Sequence, residues 1–155
     1  TDPHPAGRGA ELAMRRALAD AGAAPEAVDY VNAHGTSTVA NDRIETHALR
    51  RVFGERAGAI PISSTKSMIG HLTVAAGAVE AIVTALTLAH GILHPTLNQS
   101  RPDPECGLDY VPNHARPAPA GLDLALSNSF AFGGQCASLL LRRAPAWAAA
   151  AEPAA

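Results

Sequence analysis

A layered α/β fold with a mixed sheet is what this sequence predicts, on three observations. Strand-like and helix-like patterns alternate along the first half of the chain. The second half closes on consecutive strand-like runs with no helical pattern between them. One helical segment, at about residues 72–90, is apolar nearly all round and so needs cover on more than one side.

Taken in order, "TDPHPAGRG" is rich in Pro and Gly and reads as loop. "AELAMRRALADAGA", Ala10 to Ala23, puts Leu12, Met14, Ala17, Leu18 and Ala21 on one stripe and reads as an amphipathic helix. Gly22 and Pro25 stop it. "VDYVNAHG", Val28 to Gly35, begins as a strand and runs into small polar residues. The next helix has Asn41 and Asp42 as candidate caps and Ile44, Leu49, Val52 and Phe53 on its buried face, and Gly54 closes it. "AIPISST" is a short strand over Ala59 to Thr65. Leu72 to His90 is the apolar helix, stopped by Gly91. A proline-punctuated connection and a short "LDYVPN" strand follow. "LDLALSNSF", Leu122 to Phe130, and "CASLLLRR", Cys136 to Arg143, are separated by too few residues for a helical crossover, which predicts an antiparallel hairpin. The tail, 144–155, is Ala- and Pro-rich and is expected to be flexible.

With 155 residues the chain can bury one core. Charged residues are only 17%, which fits either a covered surface or simple dilution by alanine. A net charge of -2 gives no basic face and argues against nucleic acid. Two cysteines, Cys106 and Cys136, make neither a disulfide scaffold nor a metal cluster, so a reducing, cytoplasmic setting is expected. The opening residues lack an apolar signal region. The apolar helix carries Glu80 and threonines and falls short of the roughly 20 apolar residues that cross a bilayer, so no membrane role is expected.

Three residues could carry chemistry. His34 lies at the carboxyl end of the "DYVNA" strand, the edge where α/β folds build sites. It is either a strand cap or a functional imidazole, and the hydroxyls of Thr36, Ser37 and Thr38 beside it either bind a polar substrate or form a turn. His71 stands between Gly70 and the apolar helix. A helix start would favour the neutral ring, able to donate to developing negative charge or to act as a base. Lys66 ends the "ISSTK" strand, as a loop lysine or as a cation that keeps two histidines neutral, with Glu45 as a possible partner. His34 and His71 are too few ligands for a structural zinc, and Glu45 and His47 are two apart and face different ways on a helix, so no metal is expected. Cys106 sits among acids, a poor place for a thiolate, and Cys136 reads as strand core. "NSFAFGGQ" is a tight turn in which Phe130 and Phe132 flank Ala131, while Gly133 and Gly134 permit positive φ.

Together "VNAHGTST", the "ND" and "ET" behind it, "SSTKSMIGHLTVAAGAVEAI", "HPTLN", "LDYVPN" and "NSFAFGGQCASLLLRR" resemble the β-ketoacyl synthases of the thiolase-like fold. The resemblance covers nearly the whole chain but only the second half of such an enzyme, so residues 1–143 are expected to be one C-terminal repeat. It implies His34 and His71 as the two catalytic histidines, Lys66 as support for the second, and Glu45 as the acidic neighbour of Lys66. Thr36 and Thr38 would hold the phosphopantetheine arm of an acyl carrier protein, and Phe132 would gate the acyl pocket. The nucleophilic cysteine would come from the N-terminal half, in another chain or a missing part. The implied reaction is decarboxylative Claisen condensation, with no cofactor beyond the carrier's arm, in a dimer of complete units. A non-catalytic chain-length or scaffolding subunit is the alternative; a thiolase or a purely structural module fits less well. The usual "GFGG" and Thr-Asn of the family are "AFGG" and Gln135-Cys136 here. The motifs do not separate fatty-acid from polyketide or polyene substrates.

Overall fold

The computed structural model describes residues 6–145, and the predicted flexible tail lies almost entirely outside them. Helix α1 spans Arg8–Asp20 and α2 spans Val39–Phe53; the four-residue α3 is Lys66–Ile69, and α4 is Ala76–His90. Strands are β1 (Tyr30–Asn32), β2 (Ile62–Ser63), β3 (Ile92–Leu93), β4 (Arg116–Pro117), β5 (Leu124–Phe130) and β6 (Cys136–Arg142). The main sheet runs β2-β1-β5-β6. β1 is parallel to both β2 and β5, and β6 is antiparallel to β5, so the sheet is mixed as expected. The predicted hairpin is present in register from Leu124↔Arg142 to Phe130↔Cys136.

The core lies between the sheet and the α1/α2 layer, around Met14, Leu18, Leu49, Phe53 and Ile62, with Val31 and Leu126 from the central strands. A smaller cluster of Tyr30, Leu88, Leu93, Val111, Leu122 and Ala125 fills the opposite face, which α4 partly covers. Leu12, placed on the buried stripe by its spacing, is instead exposed, because Ala10, Met14 and Leu18 take the inner side of α1.

Several local expectations change. The cap of α2 is Thr38, whose hydroxyl accepts from the Asn41 amide, and not Asn41 or Asp42; Asp42 accepts from the Ser37 amide instead. "LDYVPN" forms no strand; Ile62 N–H donates to the Asp109 carbonyl at 2.8 Å, Thr96 bridges Pro112, and Tyr110 and Val111 pack into the two cores. The short β3–β4 pair was hidden in two proline-containing stretches.

α4 is buried on one face only. Ala76, Glu80, Thr84 and Thr87 point inward; Ile82 is 60% exposed, Leu86 45% and Val74 on the preceding turn 100%. Glu80, Thr84 and Thr87 thus share the inner face with Ala76, Leu88 and Ala89, while two large aliphatic side chains face out, which a surface helix does not usually do. Thr73–His90 is apolar enough by length and composition alone to cross a bilayer, yet its inner face packs on β5 and β6, pairs Glu80 with Lys66 of α3 and accepts from Asn32 of β1 through Thr84. The second layer that the sequence called for is absent from the described residues.

Candidate active site

β1 delivers His34 at its carboxyl end, where the chain turns between the neighbouring parallel strands. Gly35 takes φ +44°, and a Cβ there would lie 2.6 Å from the side chain of Ser64. Glu45 of α2 holds this turn. One carboxylate oxygen accepts from the His34 backbone N–H at 2.9 Å and the other from Gly35 N–H at 3.0 Å. The Asn128 amide donates to the first oxygen at 3.1 Å. Glu45 is buried, which raises its carboxyl pKa; the two backbone donors and Asn128 oppose that rise. Glu45 is therefore the clamp of the His34 turn and not the partner of Lys66.

Lys66 opens α3 instead of ending a strand. Its side chain turns inward and forms an ion pair with Glu80 of α4. The pair is almost completely buried, with side chains 5% and 2% exposed. Burial raises the Glu80 carboxyl and the Lys66 ammonium draws it back. The second Glu80 oxygen is buried and has no hydrogen-bond partner among the described residues. Glu80 was missed as a site residue. A lone acid in an apolar helix opposite a lysine of apolar surroundings was the available signal, because a buried charge requires a partner.

His71 follows α3 and Gly70, and is exposed. It does not open α4 directly: a 3-10 turn, Thr73–Ala75, intervenes, and the first amide of that turn fixes its tautomer. The Thr73 backbone N–H donates to His71 Nδ1 at 3.0 Å. An amide can only donate, so Nδ1 is the acceptor and the ring proton sits on Nε2.

The structure brings the two histidines together. Their rings are 5.5 Å apart, edge to face at 82°. Phe130, at the end of β5, lies 5.4 Å from the His34 ring. His34 is 7% exposed and its buried Nδ1 has no hydrogen-bond partner among the described residues. Burial first, then the Lys66 ammonium, depress its pKa to about 3, so the ring is neutral at physiological pH.

The remaining candidates divide. The Thr36 and Thr38 hydroxyls are 3.0 Å apart, and Thr38 is committed to capping α2. Gly133 and Gly134 both take positive φ, 79° and 77°, in the turn closed by Ala131 N–H to the Gln135 carbonyl at 2.8 Å. Ala131 is extended (φ -135°, ψ 166°), a conformation open to any residue, so its Cβ strains nothing in this state. The Phe132 side chain lies outside the described ones. A cleft of about 550 Å³ runs between α2 and residues 96–106, reaching Thr36, Lys66 and His71. A cleft of about 690 Å³ between α1 and β6 is remote from the histidines; Cys136 lines it. Burial raises both cysteine thiols. Among the described residues no three His, Cys, Asp or Glu side chains converge as a metal site.

A mixed α/β sheet that presents paired histidines and a buried lysine beyond its parallel strands defines one half of a thiolase-like layered fold. Residues 1–100 match the family model "Beta-ketoacyl synthase, C-terminal domain", and the chain belongs to that family. It is 50% identical over 143 residues to a 3-oxoacyl-[acyl-carrier-protein] synthase 2 of Synechocystis sp., covering 92% of this chain and 34% of that protein. It is equally 50% identical over 139 residues to nodulation protein E of a Rhizobium sp., covering 90% and 34%. Among solved structures, a type II polyketide ketosynthase in complex with its acyl-carrier protein superposes with a TM-score of 0.89 at 40% identity, over 93% of this chain and 35% of that one. A ketosynthase in complex with its chain length factor from Xenorhabdus doucetiae gives 0.78 at 40% identity, over 93% and 35%. The chain thus spans about a third of the length of the relatives it matches.

Proposed function

We propose that this chain supplies the histidine wall of a β-ketoacyl synthase site, completed by a half that brings the nucleophilic cysteine. The observation that carries this reading is the geometry of the two rings. His71 holds its proton on Nε2 through the Thr73 amide, and His34 is buried, neutral and 5.5 Å away. Two neutral imidazoles can both donate toward one oxygen.

An acyl group on the partner's cysteine is the electrophile. Cleavage of the malonyl C–C bond releases carbon dioxide and leaves the electron pair as an enolate. The negative charge gathers on the thioester oxygen, where His34 and His71 donate. The enolate carbon then attacks the acyl carbonyl, and the cysteine thiolate leaves. Loss of one such donor costs roughly 3–4 kcal/mol. The Lys66–Glu80 pair ties α3 to α4 and so fixes the segment that carries His71, and the Lys66 ammonium disfavours a positive charge on His34. Thr36, next to the cleft, is placed to meet the arm of an acyl carrier protein; Thr38 serves it through Thr36. Phe130, against His34, and the Phe132–Gly133–Gly134 turn border the acyl path. A cytoplasmic dimer of completed units fits the reading.

A non-catalytic chain-length or scaffolding subunit is the second reading, and the comparisons favour it for this chain taken alone. Neither described cysteine is a candidate nucleophile, and one similar structure is a ketosynthase paired with a chain length factor. One experiment separates the two. His71→Ala in the completed protein should lower malonyl decarboxylation at least a hundredfold if the chain is catalytic. Unchanged decarboxylation would assign it to the second class.

A further inference from the structure

Beneath the His34 turn a buried polar relay runs to the far edge of the sheet, and the reaction scheme above does not use it. Asn128 in β5 is fully buried. Its amide nitrogen donates to Glu45 at 3.1 Å and contacts the Met14 sulfur at 3.6 Å. Ser138 in β6 donates its hydroxyl to the Asn128 carbonyl oxygen at 2.8 Å. The orientation is forced. A carboxylate that accepts two backbone N–H groups has only acceptors to offer, so the amide nitrogen must face it. The amide oxygen then faces Ser138, which must donate. Asn128 and Ser138 are also directly opposite in the β5–β6 register, so a one-residue slip would break the relay. That register is set at the Ala131–Gln135 turn.

We propose, on the strength of the catalytic reading, that Asn128 and Ser138 are positioning residues for His34, acting through Glu45, and that they link the glycine turn to the histidine. The chain of contacts is Ser138 to Asn128 to Glu45 to the His34 and Gly35 amides. Each member is held by the next, and a shift of β6 reaches the ring through four hydrogen-bonded groups. The charge state of Glu45 matters to this linkage, since a protonated carboxyl loses acceptor capacity toward the two amides. Groups that face it are His34 above, Asp42 on its own helix, Tyr110, and Cys136 on β6. Removing the Asn128 donor leaves burial less opposed and drives the Glu45 carboxyl further up.

The test uses the completed protein and malonyl decarboxylation measured against pH. His34→Ala is the control for the reading itself: if it leaves decarboxylation intact, the catalytic reading fails whatever the relay does. With that control abolished, Asn128→Leu should lower kcat by about a hundredfold, the cost of a roughly 1 Å misplacement. KM should stay within about twofold, because binding contacts are untouched. The acid limb of the profile should move to higher pH. Ser138→Ala should do the same to a smaller extent, about three- to tenfold, and Ser138→Thr, which keeps the hydroxyl, should restore both rate and limb. If Asn128→Leu does not fold, the serine pair decides. Ser138→Ala indistinguishable from Ser138→Thr and from the parent in rate and acid limb would overturn the proposal.

Discussion

His34 is a buried base that stays unprotonated in the fold, and its behaviour with pH follows. An unfolded histidine titrates near 6.5, whereas the folded one titrates near 3. Between these values the unfolded chain binds more protons, so stability falls as pH drops from 6.5 toward 3, by up to about 1.4 kcal/mol per pH unit. His34→Asn should lack this component. Urea unfolding of both proteins from pH 7 to pH 4 checks it, and parallel curves would contradict a buried neutral ring. The Lys66–Glu80 pair gives a second prediction. Lys66→Met strands a buried carboxylate and should cost about 3–5 kcal/mol. Adding Glu80→Gln should return a large part of that, measured by denaturant midpoint at pH 7. His34, His71 and Lys66 stood out as candidates because each sits beside a glycine or a strand end, and the roles expected of them came from the resemblance. Their partners did not stand out. Glu45 lies 11 positions after His34 and Glu80 lies 14 after Lys66, and which acid meets which base depends on how α2 and α4 cross the sheet. No periodicity encodes that.

At the scale of elements, α2 and α4 test different causes. Thr38 caps α2, so Thr38→Ala should destabilise by about 1 kcal/mol and Thr38→Asn should restore most of it. If both variants also weaken the use of carrier-bound substrate equally, Thr38 has a binding role beyond the cap. On α4, Ile82→Glu with Leu86→Glu replaces exposed aliphatic groups. Stability of the chain alone should change by less than about 0.5 kcal/mol per site, while capture of the completing half, followed by size-exclusion chromatography, should be lost. The sheet hairpin and the long helices were readable because apolar spacing and short connections leave few alternatives. β3, β4 and the Thr73–Ala75 turn were not, since two-residue strands and single turns carry no repeat to detect. The reading of His71 changed for this reason: without the turn, Leu72 looks like the first residue of α4 and His71 like the residue just before it.

The whole molecule presents a site open on one side. His71 at the site, Val74 on the next turn, and Ile82 and Leu86 of α4 are all exposed in the described fold. Condensation by these 155 residues alone is therefore not expected, and a radiolabelled or mass-spectrometric assay of the isolated chain should find none. Mixed with a half that carries a reactive cysteine, activity should appear in proportion to complex formed. The need for a second layer was legible in the sequence through the apolarity of the 72–90 segment. Its direction was not, because only packing shows that Glu80, Thr84 and Thr87 take the inner face.

The central position of β5 also orders events in time. β1 pairs Tyr30 with Ala125, 95 residues later, and before that strand exists its only sheet partner is the two-residue β2. Closing so long a loop is slow relative to helix formation. On a ribosome, α1, α2 and α4 can all form while Asn128 and Ser138 are still inside the exit tunnel. The His34 turn acquires the last donor to its clamp only once β5 has emerged. A nascent chain arrested before β6 would carry both histidines and lack their fixed geometry, so the arrangement of the site waits on the hairpin.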